Sequence, residues 1–262
     1  MDWSSKTVWI TGASSGIGEA LTYQLAKKGA QLILSSRRIE ALETVKANTK
    51  YPKNVSLYPL DLAQPKSIIQ SANEVLAQHK IDLLINNGGV SQRSLAVETD
   101  LEVYRNLMEI NYFGTIQLSK IVLQQFVTHQ KGHFVVVTSL AGKLGTQYRS
   151  GYCASKHALH GFFDALRLEH HTDNIKVTMI CPGFIKTNIS FNAYTKDGSK
   201  QGFMDDRQAK GMSAKACAKK MIKAIEKEKQ EVYIGKKEIM AVYLNRFAPK
   251  LFHRFMLKTK VK

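Results

Sequence analysis

Short apolar segments recur along the whole chain and are separated by longer amphipathic stretches. Seven of them read as strands: TVWIT, QLILSS, VSLYPLD, IDLLINN, HFVVVTS, KVTMICPG and EVYIG. Their apolar residues occupy consecutive positions, which is typical of strands covered on both faces. The pattern predicts an α/β fold, a doubly wound parallel sheet of about seven strands with helices on both faces.

The chain has no internal repeat, low-complexity run or change of composition that would mark a linker. With 44% hydrophobic and 23% charged residues, we expect residues 1–262 to form one globular domain with a sizeable core. The least regular stretch, 187–212, is rich in Gly, Asn, Asp and Lys. It predicts a long mobile loop, and such loops are often lids over a substrate.

Cysteine use and the chain start bear on compartment and metal binding. Cys153, Cys181 and Cys217 are far apart in sequence, unlike a disulfide framework or a zinc site, so we expect no metal and a reducing, cytoplasmic location. The first predicted strand starts within about ten residues, which leaves no room for a signal peptide. No apolar run approaches the roughly 20 residues of a transmembrane helix.

A glycine-rich turn follows the first predicted strand and leads into a helix. In TGASSGIG the glycines have the spacing G-x-x-x-G-x-G. A strand, glycine turn and helix in this order bring backbone amides at a helix N-terminus to a pyrophosphate; the alternative is a tight turn without a ligand. The predicted cofactor contacts here are Gly12, Ser14, Ser15, Gly16, Ile17 and Gly18.

The end of the second strand favours one nicotinamide cofactor over the other. Ser36, Arg37 and Arg38 stand where an acidic residue would accept hydrogen bonds from an adenosine ribose. An arginine offers a planar, charged fork to a 2′-phosphate, which an acid would repel. The segment therefore predicts NADP(H) over NAD(H), unless the two arginines are merely solvated at a helix start.

Tyr152 and Lys156 form a pair suited to moving one proton. Four residues apart in YCASK, they lie on one helix face, so each can change the proton affinity of the other. Carbonyl reduction leaves negative charge on oxygen and needs a proton donor beside it. Lys156 and an oxidised nicotinamide ring would lower the pKa of Tyr152, making it an acid in reduction and a base in oxidation. A solvated surface pair is the alternative.

Several motifs together resemble the short-chain dehydrogenases/reductases, over nearly the whole chain. They are TGASSGIG at 11–18, NNGG at 86–89, Asn111, Ser139, YCASK and PGFIKT at 182–187. The resemblance implies a Rossmann fold and an NADP(H)-dependent enzyme that interconverts a carbonyl and a secondary alcohol. It also implies a homodimer or homotetramer, assembled through the helices around 101–129 and 152–171.

The resemblance also implies catalytic roles. Ser139 would bond the substrate oxygen, and Lys156 would hold the nicotinamide ribose. Asn111 would support a proton-relay water, although an asparagine in a helix can simply bond a backbone carbonyl.

Further cofactor contacts are implied by the same resemblance. Adenine would meet Asp61 and Leu62, and the adenosine ribose would meet Asn87 and Gly88. The nicotinamide carboxamide would be fixed by Pro182, Gly183, Ile185 and Thr187. NNGG departs from the family pattern, which commonly has alanine before the last glycine, and we expect the missing methyl to loosen local packing.

Positive charge is concentrated at the end of the chain. The net charge is +17, and residues 236–262 hold eight Lys or Arg against the single acid Glu238. Apolar residues at helical spacing in this basic amphipathic segment predict two short helices divided at Pro249. They either lie on an anionic membrane surface, as a peripheral contact, or cover the substrate pocket or a subunit contact.

Two other functions compete with the enzyme. A catalytically silent NADP(H)-binding sensor or scaffold would have no chemical reason to retain Asn111, Ser139, Tyr152 and Lys156 together. Nucleic-acid binding lacks a recognition motif, so we expect none. The predicted substrate is small and hydrophobic because apolar residues surround the site motifs; the pocket candidates are Leu140, Leu144, Tyr148, Phe184, Phe191, Tyr194 and Phe203.

Overall fold

A seven-stranded parallel sheet forms the centre of the molecule. The computed structural model describes residues 1–258. Its strands are β1 Thr7–Thr11, β2 Gln31–Ser35, β3 Val55–Leu57, β4 Leu83–Asn86, β5 Gly132–Val137, β6 Ile175–Pro182, β7 Ile185–Lys186, β8 Met212–Ser213 and β9 Glu231–Ile234. The central sheet has the order β3-β2-β1-β4-β5-β6-β9, and β7 and β8 form a separate pair. The predicted doubly wound α/β fold is confirmed, and each of the seven predicted segments contributes a strand.

Helices cover both faces of the sheet. They are α1 Gly16–Lys27, α2 Ile39–Ala47, α3 Pro65–Gln78, α4 Leu101–Met108, α5 Gly114–Thr128, α6 Ser150–Glu169, α7 Asp206–Ala209, α8 Ala214–Glu226, α9 Met240–Phe247 and α10 Pro249–Leu257. Successive strand residues point to opposite faces. Val8 and Ile10 therefore join the core under α1 and α8, whereas Trp9 joins the core under α3, α5 and α6. Each strand thus contributes alternate residues to two cores, one on each face of the sheet, and this explains why its apolar residues occupy consecutive positions.

The strand order determines where a ligand can bind. The chain leaves β1 towards β2 and β3 on one side, and continues from β4 on the other side. Ligands of open α/β sheets bind at such a reversal, beyond the carboxyl ends of the strands. The turn after β1 and the NNGG segment after β4 both lie there.

The segment 187–212 is more structured than a plain loop. It contains α7, and β8 at its end pairs in parallel with β7 just before it. Tyr194 also bridges to Gln92 and to Lys200. The sequence pattern missed these elements because they are only two to four residues long and carry no periodic signal.

The two predicted C-terminal helices are present and divide at Pro249, as expected. Val242 and Phe252 are buried against Leu140, Leu144 and Cys181, so the inner face of the segment packs on the protein. Residues 259–262 of the predicted segment lie outside the described residues. Within residues 1–258, every helix is too short or too polar to cross a membrane.

Candidate functional site

The glycine turn lies between β1 and α1 and lines a cavity of about 380 Å³. Gly12 has φ +63°, and a β-carbon there would lie 2.8 Å from the α-carbon of Gly88. A larger residue is excluded by both conformation and contact. Ser15 makes no side-chain cap on α1, so the first-turn amides have no partner of that kind. The turn can therefore hold an anionic group such as a pyrophosphate.

Most of the predicted nucleotide contacts line this cavity. They are Gly12, Ser14, Ser15, Gly16, Ile17, Ser36, Arg37, Arg38, Asp61, Leu62, Asn87, Gly88 and Thr187. Gly18 does not line it: a β-carbon on Gly18 would strike the backbone carbonyl of Gly12 and the amide of Asn87. Gly18 thus allows the helix to pack closely against the turn.

Arg37 and Arg38 are exposed at the cavity rim. Arg38 immediately precedes α2, and its backbone N–H donates to Ser36 Oγ at 3.3 Å. Within residues 1–258, neither guanidinium forms an ion pair with an acid. Both therefore remain available to an anionic ligand.

The missing methyl at Gly88 does not loosen the packing. A β-carbon on Gly88 would lie 2.7 Å from Cδ1 of Leu62, so the Leu62 side chain already fills that space. The sequence-based expectation is wrong here because it considered the lost methyl without the neighbour that replaces it.

A second, larger cavity of about 910 Å³ adjoins the first. The two share lining residues, namely Ile17, Asn87, Gly89, Thr187 and Ile189. Ser139, Tyr152 and Lys156 line the larger cavity, as do Pro182, Gly183 and Ile185. These three predicted catalytic side chains therefore line the cavity that adjoins the glycine turn. Lys156 Nζ would lie 3.4 Å from a β-carbon on Gly89, a residue that lines both cavities.

Ser139, Tyr152 and Lys156 are brought together from two elements. Ser139 follows the last residues of β5 and caps a short turn by accepting from Ala141 N at 3.1 Å. Tyr152 and Lys156 lie one turn apart on α6, with Lys156 Nζ 5.9 Å from the centroid of the tyrosine ring. The lysine ammonium donates to Val137 O at 3.0 Å, which anchors it to the end of β5.

Burial dominates the proton affinity of both groups. It raises the pKa of Tyr152, while a hydrogen bond with Ser139 and the charges of Arg93 and Arg149 oppose that rise. Burial also lowers the pKa of Lys156 to about 8. The sequence predicted that Lys156 and an oxidised nicotinamide ring would lower the pKa of Tyr152; among the residues of the structure, the groups that lower it are Ser139, Arg93 and Arg149.

Asn111 is buried and does not line either cavity. It lies in a π-helical turn, Glu109–Phe113, that joins α4 to α5. Its side chain accepts from Val90 N at 2.8 Å and donates to Val90 O at 2.9 Å and to Ser155 Oγ at 3.0 Å. The amide group is thus engaged in linking the segment after β4 to α6.

The walls of the larger cavity differ in part from the expectation. Leu140, Leu144 and Phe184 line it, and Tyr194 lines the smaller cavity instead. Tyr148, Phe191 and Phe203 line neither, so the prediction was wrong for those three. The C-terminal helices add a further wall, in keeping with the expected alternative that this segment covers a pocket; the residues that line it are Met240, Ala241, Tyr243, Leu244, Phe247, Phe255 and Met256.

Sequence reasoning missed two groups of polar residues, most of which are buried. Arg93 and Arg149 share the carboxylate of Asp205. Behind the site, ligand-type atoms of His160, Cys181 and Glu231 lie within 4.8 Å of one another. Each group joins residues far apart in the chain, so no local motif could signal it.

Comparison with known proteins agrees with this geometry. The model of a family described as short chain dehydrogenase matches residues 6–198. The chain is 41% identical over 259 residues to dehydrogenase/reductase SDR family member 7B of Mus musculus, covering 95% of this chain and 79% of the relative. It is 42% identical over 251 residues to dehydrogenase/reductase SDR family member 7 of Homo sapiens, covering 92% and 74%.

Solved structures share the fold. A short-chain dehydrogenase from Streptomyces avermitilis has a TM-score of 0.81 at 26% identity, covering 97% of this chain and 98% of that one. A short chain dehydrogenase from Burkholderia cenocepacia in complex with NADP has a TM-score of 0.83 at 22% identity, covering 99% and 100%. A relative from Burkholderia phymatum in complex with NAD has 0.84 at 20%, covering 96% of each chain. With a family match over most of its length and relatives above 40% identity, this chain belongs to the short-chain dehydrogenase/reductase family.

Proposed function

We propose that the protein is an NADP(H)-dependent oxidoreductase that interconverts a carbonyl and a secondary alcohol on a small, hydrophobic substrate. One observation carries this proposal: Tyr152 and Ser139 line a large, mainly apolar cavity that meets the cavity of the glycine turn. A proton donor thus lines a site for a carbonyl compound, and that site adjoins a site for a dinucleotide.

The chain's own residues handle the substrate oxygen and its proton. Ser139 orients the oxygen, and Tyr152 donates a proton to it in reduction or removes one in oxidation. Lys156, anchored on Val137 O, holds the nicotinamide ribose beside the tyrosine. Bound NADPH supplies the hydride and, once oxidised, a positive charge that opposes the raised pKa of Tyr152.

In this proposal Asn111 positions the site and does not contact the substrate. Its amide is already bonded to Val90 and Ser155, so it fixes the segment after β4 against the helix that carries Tyr152. A relay water would be supported from the π-helical turn that Asn111 occupies, since such turns often occur at functional sites.

We assign the nucleotide contacts as the sequence predicted them. Exposed, unpaired Arg37 and Arg38 favour NADP(H), because a 2′-phosphate would provide the anion they lack. Pro182, Gly183, Ile185 and Thr187 hold the carboxamide of the nicotinamide. Segment 187–212 acts as the substrate loop, since Thr187, Ile189 and Gly211 lie on the wall of the larger cavity.

Titration of the purified protein with NADPH and NADH tests the cofactor assignment. Hydrogen bonds to charged groups predict an NADPH preference of about 10- to 100-fold. The Arg37→Ala/Arg38→Ala variant should lose that preference while binding NADH as before. Equal or tighter binding of NADH by the unmodified protein would remove the NADP(H) assignment.

Turnover tests the reaction. NADPH oxidation with apolar ketones and aldehydes should fall by about 100-fold or more in Tyr152→Phe, which keeps the ring but cannot donate a proton. Cofactor binding should be retained in that variant. Tight NADPH binding without turnover on any carbonyl compound would favour the silent sensor or scaffold.

A further inference from the structure

Two arginines on the wall of the larger cavity share one carboxylate. Arg93, Arg149 and Asp205 are each about nine-tenths buried or more, with 5%, 6% and 4% of their surfaces exposed. Arg93 lies after β4, Arg149 immediately precedes α6, and Asp205 belongs to segment 187–212. Both arginines line the cavity that contains Tyr152.

The two guanidinium groups are not equally satisfied. Arg93 Nε donates to Asp205 Oδ2 at 2.7 Å, and Arg93 NH1 donates to Ser91 Oγ at 2.7 Å and to Gln92 O at 2.6 Å. Arg149 reaches only Asp205 Oδ2, from NH2 at 3.4 Å, among its contacts with residues 1–258. An arginine carries five N–H donors, so most of the Arg149 fork has no protein acceptor.

The charges do not balance either. Two buried cations face one buried anion, and an unpaired buried charge is costly unless a partner arrives. Burial and the neighbouring Arg93 lower the pKa of Arg149 to about 10, so it still carries its charge at neutral pH. Among the described residues that line this cavity, Glu238 is the one acidic residue. Its carboxylate accepts a hydrogen bond from Phe184 N at 3.2 Å, so it is engaged away from Arg149.

We propose that Arg149 is the receptor for an anionic oxygen group of the substrate. Resting on the proposed oxidoreductase function, this assigns the substrate class: an apolar carbonyl compound or alcohol that also carries a carboxylate or a phosphate ester. Both anions match the bidentate geometry of a guanidinium.

Position defines the arrangement of such a substrate. Arg149 is three residues before Tyr152, so the anionic group and the reacting carbonyl lie near the same helix start. The apolar part extends towards the wall formed by Leu244, Phe255 and Met256. Arg93 already donates to Asp205 and Ser91. It is therefore a positioning residue: it binds the Asp205 carboxylate and so leaves most of the Arg149 N–H donors open to the substrate.

A binding measurement tests the receptor without relying on turnover. Calorimetry with NADP⁺ present would compare dodecanoate, dodecyl phosphate and neutral dodecanol. At least one anion should bind about 10- to 100-fold more tightly than the alcohol, and the better anion identifies carboxylate or phosphate. Equal binding of all three would overturn the proposal.

Matched variants locate the effect. Arg149→Met should remove the preference for the anion, and Arg149→Lys should restore part of it. Asp205 keeps Arg93 as its partner in both, and circular dichroism would verify the fold. The control Lys237→Met removes one positive charge from an exposed position on the cavity wall. If it lost the preference for the anion equally, the preference would come from the overall positive charge of the cavity, and Arg149 would not be the receptor.

Kinetics separate this proposal from the function on which it rests. For a medium-chain oxo acid and its methyl ester, Arg149→Met should raise KM for the acid far more than for the ester. An equal change for both, with a shifted pH profile, would mean that Arg149 acts on the Tyr152 proton and would overturn the receptor. No turnover of either compound by the unmodified protein would count against the oxidoreductase, while the binding experiment still decides the receptor.

Discussion

His133 is a buried neutral base in the sheet, far from the proposed chemistry. It is the second residue of β5. Its Nε2 lies 2.8 Å from Thr178 Oγ1, while Nδ1 has no partner among the described residues. Burial lowers the pKa of His133 to about 4, against about 6.5 in an unfolded chain. The folded protein therefore resists a proton that the unfolded chain accepts.

This difference predicts acid sensitivity. The contribution of neutral His133 is fully present above about pH 6.5 and is lost as the pH falls towards 4, since the unfolded state then binds more protons. Between pH 7 and pH 5 it should cost about 2 kcal/mol of unfolding free energy. His133→Gln, which does not titrate, should show a shallower decline in urea unfolding measured at pH 7, 6 and 5.

The control is His129→Gln, at an exposed position at the end of α5. It should leave the decline unchanged. A decline in His133→Gln as steep as in the unmodified protein would show that other groups cause the acid sensitivity.

At the scale of elements, α9 and α10 form one wall of the larger cavity and expose a second apolar face. Leu251 and Leu257 are more than half exposed, and Arg246, Lys250, Arg254 and Lys258 accompany them on the surface. The inner face of this segment therefore agrees with the alternative in which the two helices cover a pocket. The outer face has the composition of a helix that rests on an anionic membrane.

We expect the protein to sediment with phosphatidylserine vesicles and to be released by salt, since part of the attraction is electrostatic. Leu251→Asp/Leu257→Asp, at positions that do not line the cavity, should weaken the binding by about 10-fold or more, from lost apolar burial. Val97→Asp, which changes an apolar residue that is 93% exposed elsewhere, should have no effect. Failure of the unmodified protein to sediment would discard the membrane contact.

For the whole molecule, the helices around 101–129 and 152–171 are the expected assembly surface. α4, the π-helical turn and α6 expose Leu101, Phe113 and Leu168, and exposed apolar side chains of this kind suit a subunit contact. Light scattering after size exclusion should therefore show a homodimer or homotetramer.

Phe113→Glu should shift that assembly towards monomer, because it places a charge within the buried contact. Phe203→Glu changes a similarly exposed phenylalanine in segment 187–212 and serves as the control. A monomer at every concentration of the unmodified protein would refute the assembly surface.

Local patterns were enough to predict the sheet and the convergence of the predicted nucleotide-binding motifs on one cavity. Consecutive apolar residues indicate strands covered on both faces, and the glycine turn directly follows the first of them. The carboxyl ends of parallel strands lie at the same edge of the sheet. The motifs that follow β1, β4, β5 and β6 must therefore lie close together. One exception is VSLYPLD, where the strand ends at Leu57, although Tyr58 N and Leu60 N still donate to Leu34 O and Ser36 O beyond it.

Only the tertiary structure decided what surrounds Tyr152. Arg93 and Asp205 are 112 positions apart and Arg149 and Asp205 are 56 apart, and their meeting depends on the path of segment 187–212. The wall made by α9 and α10 likewise depends on where the chain goes after β9. Periodicity reports which face of an element is buried but not which element covers it. The fold and the position of the glycine-turn cavity therefore follow from sequence, whereas the charge and shape of the larger cavity come from packing between distant segments.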